Sequence, residues 1–128
     1  MEYVIEQSED QRLIIAKAKG EWDSETDNQM VREMMNMVVQ TGVRKILLDM
    51  RTLQFDFSVL RIFERAQEMR DQRRTVEMVS SKVALVYTST SAKLEEDMHF
   101  FENAAQNRGL PYRSFHNIDD ARLWLLDS

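Results

Sequence analysis

Val43-Arg44-Lys45-Ile46-Leu47-Leu48-Asp49-Met50-Arg51, running on through Thr52-Leu53-Gln54-Phe55-Asp56-Phe57-Ser58, is the stretch that decides the fold. Ile46-Leu47-Leu48 is apolar at consecutive positions, not alternate ones. That pattern fits a strand covered on both faces, and hence a sheet with helices on either side. The polar residues after it then fall at the strand's carboxyl end, where open α/β folds place their working sites.

The rest of the composition is that of a single globular domain spanning 1–128. Apolar residues make up 43% and charged residues 30%, an ordinary balance for a globular chain. The formal net charge of −5 argues against general affinity for nucleic acid or an anionic membrane, both polyanions. With no cysteine the chain has no disulfide, no thiolate nucleophile and no sulfur-liganded zinc. Met1-Glu2-Tyr3-Val4-Ile5-Glu6 has neither the basic region nor the apolar core of a signal peptide. No apolar run approaches the ~20 residues of a membrane span. A cytoplasmic location is expected.

Outward from the central strand, Tyr3–Gln7 and Leu13–Lys19 read as two strands around the polar turn Ser8-Glu9-Asp10-Gln11, an antiparallel hairpin that Gly20 ends. Asp23 or Ser24 caps a first helix, with Glu25 and Asp27 in its first turn and Gly42 as its stop. Met30, Val31, Met34, Met35, Val38 and Val39 recur there at helical spacing. Adding Met37 widens the apolar arc to roughly 200°, beyond the ~100° stripe of a one-sided surface helix. Either a neighbouring helix or a second subunit covers the surplus. In the second case Met30, Met34, Met37 and Val38 form the interface of a homodimer.

A second helix is expected from about Ser58 to Arg70, with Val59, Leu60, Ile62, Phe63, Ala66 and Met69 buried and mixed charges opposite. Lys82–Tyr87 is the next strand, and Thr88-Ser89-Thr90-Ser91 precedes a third helix from Ala92 to Arg108. Gly109 and Pro111 end that helix. Tyr112–His116 is a short last strand. Asn117 caps a closing helix, Ala121–Leu126, whose Leu123, Trp124, Leu125 and Leu126 are expected in the core. The order β-β-α-β-α-β-α-β-α implies an α/β fold, a single mixed, mostly parallel sheet opened by an antiparallel hairpin, with about four helices on it.

Several stretches in this order resemble the STAS-like domains, the fold of anti-sigma-factor antagonists, and within them the SpoIIAA-like branch related to CRAL-TRIO lipid carriers. They are the opening hairpin, Gly20-Glu21-Trp22-Asp23, Arg44–Arg51, Lys82–Val86, Tyr112–Phe115 and Asp120–Leu125. The resemblance covers essentially the whole chain. It implies a bacterial regulatory protein-interaction module, not an enzyme, and a phosphorylated serine at the start of the second helix. Ser58 falls at that switch position in Phe57-Ser58-Val59-Leu60, although the family's preceding acid is missing, Asp56 standing one place early, and so is its following glycine.

The candidate site residues are Asp49, Arg51, Phe55, Asp56, Phe57 and Ser58. Asp49 and Arg51 either hold a polar ligand with Asp56 or pair internally. Ser58 either carries a phosphate at a helix N-terminus or simply caps the helix. Phe55 and Phe57 either line a pocket for a small apolar or amphipathic ligand or meet a protein partner. Arg70, Arg73 and Arg74 can receive a phosphate or an acidic segment, or be solvated. His99 and His116 have no metal-ligand spacing and read as incidental. The three glycines all lie at element ends, leaving none for a phosphate loop. No cofactor and no metal is expected. The leading expectation is a non-catalytic module that binds a protein partner and itself. The rivals are a carrier or sensor of a small apolar ligand and a phospho-switch at Ser58.

Overall fold

The computed structural model describes residues 1–55, 82–107, 109 and 111–127. The expected second helix lies outside them, and with it Asp56, Phe57, Ser58, Arg70, Arg73 and Arg74. The elements described are β1 (Glu2–Gln7), β2 (Ile14–Glu21), α1 (Ser24–Thr41), β3 (Lys45–Gln54), β4 (Lys82–Val86), α2 (Ala92–Asn107), β5 (Tyr112–Phe115) and α3 (Ile118–Leu126). The strands form one five-stranded sheet in the order β1-β2-β3-β4-β5. β1 and β2 are antiparallel and every other pair is parallel, which is the mixed α/β sheet expected.

The central strand is covered on both faces. Ile46 is 1% exposed, Leu47 1% and Leu48 5%. Ile46 and Leu48 face a large cluster built with Met30, Met34 and Val38 of α1 and Met98 and Phe101 of α2. Leu47 points the other way, into a smaller cluster with Leu13, Ala84, Val86, Ala121 and Leu125. α3 provides the cover there, packing on β3, β4 and β5.

β3 runs three residues beyond the expected end, to Gln54, because it contains a bulge. Lys17 pairs with Asp49 and Lys19 with Thr52, so β3 takes three steps where β2 takes two. Strict alternation would send Leu53 to the same face as Leu47. The extra residue turns it into the larger cluster instead, where it is 8% exposed. β2 is likewise not ended by Gly20. Pairing continues through Gly20 and Glu21, the glycine taking a φ of +91° that a side chain would resist.

Caps fix the helices. Asp23 Oδ1 accepts from the N–H of Thr26 at 2.7 Å, and Gly42, at φ +74°, donates its N–H to the Val38 carbonyl at 2.8 Å. Asn117 Oδ1 accepts from the N–H of Asp120 at 2.8 Å and starts α3 at Ile118, three residues before the expected Ala121. At the other end of α3, Lys82 Nζ donates to the carbonyls of Trp124 at 3.0 Å and Asp127 at 2.9 Å. Leu125 is fully buried, whereas Leu123 is 70% exposed, a correction to the expected core placement of that leucine. Among the described residues, no helix is long and apolar enough to cross a membrane.

Candidate functional site

The carboxyl ends of β3 and β4 form a rim that carries Asp49, Arg51 and Phe55; the other expected site residues, Asp56, Phe57 and Ser58, lie outside the described residues. Asp49, at the bulge, is 8% exposed. Arg51, two residues on and on the same face, grips it with a fork: Nε to Oδ1 at 2.9 Å and Nη2 to Oδ2 at 3.0 Å. The backbone N–H of Arg51 donates to Oδ1 as well, at 3.2 Å. Burial alone pushes the Asp49 carboxyl up, but the Arg51 hydrogen bonds and charge, with Lys17 nearby, outweigh it and hold the group below the usual carboxylate range. This is the internal pair. Both carboxylate oxygens are engaged, and the pair fixes the strand end as a unit.

The rim is tied together beyond that pair. Thr88 Oγ1 donates to the Arg51 carbonyl at 3.3 Å, joining the loop after β4 to β3. Thr52 Oγ1 donates to the Ala18 carbonyl at 3.3 Å, across the bulge. Met50, Thr52, Gln54, Phe55, Thr88 and Leu94 border a shallow groove over this seam. Phe55 is half-buried against the larger core cluster. With Trp22, Asp27, Met30, Met98 and Phe101 it lines an internal cavity of about 30 Å³. A space of that size holds about one water. This cavity lies below the ~300 Å³ at which sites of drug-sized ligands begin, while the open groove over the seam, about 360 Å³, does not.

A second cluster on the same rim escaped the sequence reading. Tyr87, the residue after β4, is buried, and its hydroxyl donates to Glu95 Oε2 in the first turn of α2. His116 Nε2, just past β5, meets Glu95 Oε1 at 2.7 Å, and His99 Nε2 stands 3.8 Å from Oε2. The rings of Tyr87 and His116 are 4.8 Å apart. Burial, then the Glu95 carboxylate, pushes the Tyr87 hydroxyl far up. Glu95 is held low, chiefly by the Tyr87 hydrogen bond. Thus both histidines of the chain, read as incidental, converge on one carboxylate. Only the Glu95–His99 spacing of four could have signalled this locally. Among the described residues no group of three or more histidine, aspartate or glutamate side chains is arranged to hold a metal ion.

The four residues expected at an interface are split. Met30, Met34 and Val38 are buried within the chain itself, so the wide arc of α1 finds its cover on the sheet and on its own neighbours. Their apolar surface is not free for a second subunit. Met37 is half-buried, and beside it Val39 is 60% exposed.

The five-stranded mixed sheet, opened by a hairpin and with helices on both faces, is the fold of solved anti-sigma factor antagonists. Two solved structures carry that likeness. An anti-sigma factor antagonist from Mycobacterium paratuberculosis superposes with a TM-score of 0.62 over 98% of this chain and 94% of its own, at 14% identity. The anti-sigma factor antagonist SpoIIAA in its unphosphorylated form gives 0.60 over 99% and 100%, at 15% identity. No protein family's sequence profile matches the chain, and no curated protein does. At such identities the likeness is one of fold.

Proposed function

We propose that this chain is a non-catalytic regulatory module that works by binding a protein partner. One observation carries the reading: the fold agrees over 98% and 99% of this chain with two anti-sigma factor antagonists. The rim supports it. Asp49, Arg51, Tyr87, Glu95 and His116 are occupied with one another, which shapes a fixed surface and leaves these groups little room to act on a substrate. The reading includes a bacterial cytoplasmic setting, a Ser58 that answers to phosphorylation, and self-association through the exposed side of α1 around Met37 and Val39.

Affinity capture from native lysate, followed by reconstitution with the captured protein in purified form, tests it. A stoichiometric complex that weakens at least about tenfold with Arg51→Glu supports the proposal, since a reversed charge at a small interface typically acts on that scale. Native mass spectrometry of the purified chain supplies the opposing result. A retained small molecule, in the absence of any protein partner, overturns the proposal in favour of a carrier.

A further inference from the structure

β1 is an end strand of the sheet, so among the described residues one row of its backbone N–H and C=O groups has no strand beside it. Its side chains alternate. Tyr3 and Ile5 turn toward the large core cluster and are half-buried. Glu2, Val4 and Glu6 turn to the other face, where α3 does not reach. Val4 is 62% exposed, and the side chains of Glu2 and Glu6 are 76% and 54% exposed.

Charge on this edge is one-sided. Residues 1–10 hold Glu2, Glu6, Glu9 and Asp10 and no lysine or arginine. The basic row lies one strand inward. Lys19 stands 3.3 Å from Glu2 and Lys17 3.8 Å from Glu6. Both contacts are open to water and weak, leaving the outer flank of each carboxylate unscreened by any base in the described residues.

We propose that the β1 edge accepts an extended strand from a protein partner, with lysine or arginine opposite Glu2 and Glu6 and apolar residues opposite Tyr3 and Ile5. Main-chain hydrogen bonds along β1 supply the affinity and the alternating side chains supply the choice of partner. Such a strand completes a basic–acidic–basic succession across β2, β1 and the newcomer, with each carboxylate between two bases. A second copy of the chain fits worse. Antiparallel pairing centred on Val4 sets Glu2 against Glu6 of the other copy at both ends, and every other register still brings two acidic edges to one seam. This inference rests on the reading of the chain as a protein-binding module. It can fail separately, because its test needs no native partner.

The test uses the full chain, isotope-labelled, titrated with the end-capped peptide Lys-Val-Thr-Val-Lys and, in parallel, Glu-Val-Thr-Val-Glu. Amide NMR shifts are expected in β1 and β2 alone, with slowed exchange of β1 amides. The lysine peptide is expected to bind about fivefold tighter than the glutamate peptide, the scale of two exposed ion pairs. Added salt narrows that gap. The double variant Glu2→Lys/Glu6→Lys changes two exposed side chains and leaves the fold intact by its amide spectrum. It is expected to reverse the preference. Equal binding of both peptides, shifts centred on another surface, or β1 shifts that grow with protein concentration alone overturns the proposal, the last by showing that a second copy takes the edge.

Discussion

Replacing Leu125 by alanine, with Leu123→Ala as its partner experiment, probes the thinner of the two cores. Leu125 is fully buried in a cluster whose other buried members are Leu13, Leu47, Ala84, Val86 and Ala121. Two of those are alanines, so little side-chain bulk is available to collapse into the space that Leu125 vacates. Truncation of a fully buried leucine costs about 2–5 kcal/mol, most where the surroundings cannot relax. Roughly 3–4 kcal/mol is expected here, a large part of the ~5–15 kcal/mol that holds a domain of this kind together. In thermal terms that is a fall of about 10 °C or more. Leu123, at 70% exposure, should cost under ~0.5 kcal/mol. Trp124, between them and half-buried against Phe115, reports directly on whether α3 stays docked. Urea unfolding followed by tryptophan fluorescence in a Trp22→Phe background measures both variants. Equal costs at the two leucines, or a cost at Leu125 below about 1 kcal/mol, would refute the assignment of α3 to the sheet's second face.

Arg51→Met leaves the Asp49 carboxylate buried without its forked partner. The guanidinium side chain is 45% exposed, so the expected loss is about 1–2 kcal/mol, short of the ~3–5 of a fully buried pair. In the wild type the folded Asp49 titrates below its unfolded value, so its contribution is present above about pH 4 and lost as pH falls through the depressed folded value. In Arg51→Met burial dominates and the order reverses. Urea midpoints should therefore show a smaller penalty at pH 4.5 than at pH 7. Glu95→Gln removes the second cause that lifts the Tyr87 hydroxyl. NMR of the tyrosine ring carbons should show Tyr87 ionising at lower pH than in the wild type, yet above an exposed tyrosine, because burial, the larger cause, remains. Asp23→Ala strips the cap from α1 and should cost about 1 kcal/mol in the same urea assay, while Asp23→Asn costs less.

What was legible in the sequence was what each residue's near neighbours decide. Ile46-Leu47-Leu48 announces a strand covered on both faces because no alternating pattern is possible within it. Asp23, Gly42 and Asn117 announce helix ends because capping is completed within a few residues. The bulge was not legible. It is a relation between β2 and β3, some thirty residues apart, and nothing in Met50-Arg51-Thr52 alone requires it. The same holds for Glu95, whose partners Tyr87 and His116 are brought from different strand ends by the order of the sheet. Leu123 was misplaced for another reason. In Leu123-Trp124-Leu125-Leu126 the apolar residues go most of the way round the helix, so periodicity has no contrast from which to select the buried side.

The two faces of the sheet are covered unequally, and on the proposed reading that inequality bears on where a partner can bind. α1 and α2 share one face, and the even-numbered residues of β2 are buried there: Ile14, Ala16 and Ala18. On the other face α3 packs chiefly on β3, β4 and β5, with Ile15 of β2 at the margin of its cluster. Opposite it, Lys17, Lys19, Glu2, Val4 and Glu6 face water. An apolar surface of that size would invite indiscriminate association, and a layer of single-sign charge would repel most of what approached. Alternating rows of acid and base do neither. They remain soluble alone while favouring a partner whose charges fall in the complementary order. At the rim, the paired Asp49 and Arg51 and the group around Glu95 have the same character: polar, fixed and already satisfied. Groups already satisfied gain little from a new contact unless its shape and charge order match theirs.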